Sequence, residues 1–100
     1  MFLISQHKEK IAKLCEIHKV EKLYLFGSAT NDSFNSESDI DFLVKFKAFE
    51  LKDYFINYLD LKHQLMKLFN REVDLVEEQT LKNPFLIKSI NKNKALIYGE

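Results

Sequence analysis

The chain has one cysteine, one proline and two glycines in 100 residues, and each scarcity narrows what it can be. A single cysteine cannot close an internal disulfide, so a disulfide framework is excluded. Cys15 falls with Ile11 and Leu14 in a helical apolar pattern, which assigns it to core filling. No stretch reads as a low-complexity tract or an interdomain linker, and no internal repeat is visible. Long apolar runs are also missing. Met1 to Ile4 is shorter than the apolar region of a signal peptide and is followed by Gln6, His7 and Lys8. No segment approaches the length of a membrane span. A reducing cytoplasm is the expected location.

Net charge is the last absence. Lys and Arg total 15, as do Asp and Glu, which removes the overall basic field of a dedicated nucleic-acid binder. The uneven stretch is the C-terminal fifth, where Lys82, Lys88, Lys92 and Lys94 face only Glu100 among acids. It reads as a solvated surface, with attraction to phosphate as the alternative. What remains is 46% hydrophobic, 30% charged and 13% aromatic, the composition of a folded globular chain. One domain over residues 1–100 is expected, with no length left for a second substrate-binding domain.

Apolar spacing predicts a helix from about Ser5 to Lys19, then a buried strand from Lys22 to Phe26 that Gly27 stops. Residues 30–38 have the polar composition of a loop. From Asp39 to Phe46 the alternation predicts a strand with Ile40, Phe42, Val44 and Phe46 on one face and Asp39, Asp41 and Lys45 on the other. Leu51, Tyr54, Phe55, Tyr58, Leu59, Leu65 and Phe69 mark the core-facing stripe of a long helix. A strand over Glu72 to Val76 sets Val73 and Leu75 against Glu72, Asp74 and Val76. Asn83 and Pro84 open a short helix to about Ile90, and after a turn-like stretch Ala95 to Tyr98 forms an edge strand. The fold class is α/β (α+β): a mixed sheet of about four strands, helices on one face and an acidic site on the other.

Residues two apart on a strand point the same way with Cα atoms about 6.6 Å apart, so Asp39 and Asp41 converge. Alone, Asp-x-Asp describes an exposed strand face. Asp74, placed opposite Val73 and Leu75, joins the same polar face through the shared core. Three carboxylates together raise one another's pKa, a conflict that a hard cation such as magnesium removes. Gly27-Ser28 follows the first strand directly. Glycine there turns the backbone and admits a phosphate to main-chain N–H groups, with an ordinary strand-ending turn as the simpler account.

Leu25-Phe26-Gly27-Ser28, ten residues, then Asp39-Ile40-Asp41-Phe42-Leu43-Val44, resembles the Gly-Ser and Asp-x-Asp signature of the polymerase-β-like nucleotidyltransferase superfamily. Glu72-Val73-Asp74-Leu75-Val76 is similar to its third-carboxylate strand. Length and element order resemble the minimal (MNT) group found beside HEPN-domain partners. The resemblance implies that Asp39 and Asp41 bridge two magnesium ions. Asp74 would bind one of them and help deprotonate the attacking hydroxyl, while Gly27 and Ser28 hold the outer phosphates of ATP. Such cations, about 3.5–4 Å apart, stabilise both the attacking and leaving oxygens. It further implies AMP transfer to a hydroxyl, a tyrosine on a HEPN toxin, with this chain as antitoxin. Self-association is left open.

One departure concerns charge. Many minimal members carry arginines just after Gly-Ser, where this chain has Ala29, Thr30 and Asn31. Lys45, on the carboxylate face, reads as a solvated strand lysine, with the triphosphate as its alternative partner. His7, His18 and His63 read as surface or boundary residues. Two rivals stand beside the enzyme: a module that neutralises its partner by masking it, and a small-molecule nucleotidyltransferase that borrows its acceptor pocket from another subunit.

Overall fold

Strand alternation and helical spacing produce most of the expected elements. The computed structural model describes residues 2–27, 38–48 and 51–99. In chain order they form α1 (Phe2–Gln6), α2 (Lys8–Ile17), β1 (Val20–Phe26), β2 (Ile40–Phe46), α3 (Leu51–Phe69), β3 (Val73–Glu77), α4 (Pro84–Asn93) and β4 (Ala95–Tyr98). A 3₁₀ turn, Glu78–Thr80, follows β3.

The first expected helix is two. At His7 the backbone leaves helical geometry (φ −116°, ψ 17°). Its imidazole packs edge-on against Phe69, with ring centroids 5.5 Å apart. Periodicity misses the break because the apolar stripe runs on across it, with Ile4 and Ile11 both buried. Lys19 (φ 59°) and Asn70 (φ 53°) adopt left-handed conformations where α2 and α3 end. Asparagine tolerates that region well; lysine does so less readily.

The sheet order is β3-β2-β1-β4. β1 is antiparallel to β2 and β4, while β2 and β3 are parallel, so the mixed four-stranded sheet is as expected. A parallel pair needs a long crossover, which the 19 residues of α3 provide. The core lies between one sheet face and the helices. Ile40, Phe42 and Val44 of β2 meet Leu23 and Leu25 of β1, Val73 and Leu75 of β3, Ile11 and Cys15 of α2, and Leu61, Leu65 and Phe69 of α3. Burial pushes the Cys15 thiol up to about 12, which makes it an inert core group.

The core-facing stripe of α3 is narrower than expected and includes Leu61. Tyr54, Tyr58, Leu61, Leu65 and Phe69 face the core, whereas Phe55 (58% exposed) and Leu59 (37%) do not. Leu61 and Tyr58 continue the four-and-three spacing, and Phe55 and Leu59 sit about 100° around the helix from that line. In α4, Asn83 caps as expected: its Oδ1 accepts from the N–H groups of Phe85 (2.9 Å) and Leu86 (3.3 Å). The helix runs on to Asn93 because buried Ile90 anchors another turn. Ile87 and Ile90 share a recess with Leu43 of β2, so α4 covers part of the sheet face away from α2 and α3.

Candidate active site

The alternation that buries Ile40, Phe42 and Val44 sends Asp41 to the other face of β2. Cross-strand register then decides its neighbours: Phe26 of β1 on one side and Asp74 of β3 on the other. Adjacent strands lie about 4.8 Å apart, so the Asp41 and Asp74 carboxylates stand side by side. Asp39 sits just before β2, two residues from Asp41. Asp39 and Asp74 are exposed, and Asp41 is half-buried. Burial holds the Asp41 carboxyl above its ordinary pKa, and the charges of Asp74 and then Asp39 push it further the same way. The expected like-charge conflict thus falls on Asp41.

Gly27 ends β1 with φ +74°, a conformation L side chains rarely adopt. A Cβ at Gly27 would lie 2.2 Å from Asp41 Oδ2, so the absence of a side chain makes room for that carboxylate. Ser28, the other half of the expected phosphate cradle, lies outside the described residues, as do Ala29, Thr30 and Asn31.

Among the described residues, no three His, Cys, Asp or Glu side chains are arranged to hold a metal ion unaided. The donor chemistry still suits magnesium. This cation takes one or two carboxylates and fills its octahedron with waters and substrate phosphates. A half-buried carboxylate pressed by two others fits an ion that arrives with nucleotide.

Other polar groups resolve differently. Lys45 Nζ lies 3.1 Å from Glu21, a partly exposed pair. Such surface pairs are screened by solvent and contribute little. Lys94 is half-buried, with its ammonium 4.2 Å from the centre of the Tyr24 ring. His18 is buried: Nδ1 meets the Leu14 carbonyl at 2.6 Å and Nε2 meets Asp60 at 2.5 Å, a structural link between α2 and α3. Sequence reading passed over Arg71, whose guanidinium donates to the Ser38 carbonyl at 3.1 Å. Its one signal was being the chain's single arginine.

Residues 9–100 match the family described as polymerase beta, nucleotidyltransferase. A Methanocaldococcus jannaschii protein named "putative protein adenylyltransferase" is 38% identical over 96 residues, covering 96% of this chain and 90% of the relative. A solved structure described as a "putative minimal nucleotidyltransferase" superposes with a TM-score of 0.75 at 26% identity, over 91% of this chain and 89% of that one. A crystal structure of a toxin-antitoxin with AMP-PNP gives a TM-score of 0.72 at 25% identity, over 93% and 73%. The family match spans β1 to β4 and every carboxylate of the acidic row. The chain therefore belongs to the polymerase β nucleotidyltransferase family, in its minimal nucleotidyltransferase group.

Proposed function

We propose that this nucleotidyltransferase acts as one unit over residues 1–100, transfers AMP from ATP to a tyrosine hydroxyl of a HEPN toxin, and so serves as its antitoxin. The observation that carries the reading is the half-buried Asp41 carboxylate, flanked by Asp74 and pushed upward by both neighbouring acids. Support for the acceptor comes from the protein adenylyltransferase name of the relative and from the toxin-antitoxin neighbour that holds AMP-PNP. The buried thiol suits a reducing cytoplasm, and among the described residues no helix is long and apolar enough to cross a membrane.

In this reading Asp39 and Asp41 would hold two magnesium ions and Asp74 one of them. When bound, the ions supply charge neutralisation on the attacking and leaving oxygens. Gly27 main chain and the Ser28 hydroxyl hold the outer phosphates. The acceptor oxygen forms a bond to the α-phosphorus while the bridging α–β P–O bond breaks, and pyrophosphate leaves. Asp74, exposed on the same face, takes the hydroxyl proton. The partner protein holds that hydroxyl in line, supplying the positioning that otherwise costs much of the barrier.

Incubation of the chain with its genomically adjacent partner, magnesium and ATP should add AMP groups to that partner, read as intact mass. Asp74→Ala should suppress the additions and leave the complex able to form. Neutralisation without added mass, equally strong with Asp74→Ala, would replace protein transfer by masking.

A further inference from the structure

Asp39 precedes the first residue of β2, so the strand ladder does not by itself set its direction. Two hydrogen bonds from the residues just before β3 do. The Ile40 N–H donates to the Glu72 carbonyl at 3.1 Å, which pins the peptide unit between Asp39 and Ile40. The Arg71 guanidinium donates to the Ser38 carbonyl at 3.1 Å, which pins the unit between Ser38 and Asp39. With the planes on both sides of its Cα held, Asp39 has its φ and ψ fixed, and these dihedrals set where the Cα–Cβ bond points.

We propose that Arg71 is a positioning residue for Asp39: by holding the Ser38 carbonyl it aims the Asp39 carboxylate at the acidic row and so sets the site's affinity for a divalent cation with nucleotide. The inference rests on the reading of Asp39 as a cation ligand. Arg71 suits the task because its guanidinium is planar, permanently charged and rich in donors. It also lies three residues before Asp74, so one side chain ties the segment carrying Asp74 to the segment carrying Asp39 and Asp41.

The test is a double-mutant cycle on Mn²⁺ affinity, measured by electron paramagnetic resonance with a non-hydrolysable ATP analogue. Arg71→Gln should weaken Mn²⁺ binding by about 10- to 100-fold, the usual effect of removing a group that orients a ligand. In an Asp39→Asn background, Arg71→Gln should add no further loss, because its effect passes through Asp39. Arg71→Lys, which keeps the charge and a donor, should fall between wild type and Arg71→Gln. If Arg71→Gln does not give a melting transition, Arg71→Lys carries the same cycle. Full additivity would overturn the proposal and assign Arg71 a contact of its own with the nucleotide. So would wild-type affinity in Arg71→Gln while Asp39→Asn is impaired. Unchanged affinity in Asp39→Asn would instead remove the reading of Asp39 as a ligand.

Discussion

Asp41 bears the like-charge conflict of the candidate site. Its carboxyl is raised by burial, then by Asp74 and Asp39, so the folded chain holds that proton more tightly than the unfolded chain does. The stability contribution is therefore complete in acid and is lost as pH rises from the unfolded pKa through the folded one. Asp41→Asn should raise the melting temperature at neutral pH without metal, and the gain should vanish toward acid. Glu77 is buried, its Oε1 has no hydrogen-bond partner among the described residues, and its pKa is also raised chiefly by burial, so the profile is best recorded in a Glu77→Gln background. A fall in melting temperature at neutral pH would give Asp41 a structural role. Gly27 belongs to the same local problem, since no side chain fits there without moving Asp41.

At the scale of elements, β3 shows how an exposed sheet edge is managed. One side of β3 pairs with β2, and the other has no neighbouring strand among the described residues. The Tyr58 hydroxyl donates to the Leu75 carbonyl, and Thr80 Oγ1 donates to the Glu77 carbonyl at 2.8 Å. Side chains thus occupy carbonyls that a foreign strand would use. Burial, and then the charge of Asp74, hold the Tyr58 phenol above its ordinary pKa, so the donor keeps its proton. Tyr58→Phe should lower stability by about 0.5–1.5 kcal/mol, the net worth of one hydrogen bond. Sedimentation should also show more self-association. Unchanged stability in denaturant melts would show that water replaces the hydroxyl without loss.

For the whole molecule, the Cα radius of gyration of 13.1 Å is close to the roughly 13 Å expected for 100 residues. α2 and α3 cover the apolar sheet face, while α4 covers the site face around Leu43. Among the described residues Asp39 and Asp74 stay exposed on that face. Cation and nucleotide should therefore bind as a unit. Magnesium with a non-hydrolysable ATP analogue should raise the melting temperature, by about 2.7 kcal/mol of stability at a hundredfold excess over Kd. Either component alone should do far less. A full shift with analogue in excess chelator would separate nucleotide binding from the carboxylates.

The sequence by itself determined what is local. Period-two alternation put Asp41 and Asp74 on the face opposite Phe42 and Leu75, because successive side chains of a strand leave on opposite sides. The α4 cap was equally legible, since Asn83 meets the N–H groups of Phe85 and Leu86, two and three residues on. Only tertiary structure decided what depends on meetings between distant segments. Leu43 sits on the polar-facing side of β2 yet is buried, because α4 packs there. His7 interrupts the first helix where it meets Phe69, and His18 is held by Asp60, 42 residues away. Arg71 reaches Ser38 across 33 residues, and Gly27 meets the Asp41 carboxylate across the β1–β2 pair. Periodicity records which way a side chain leaves its own backbone, whereas the group it meets is chosen by the register and packing of other elements.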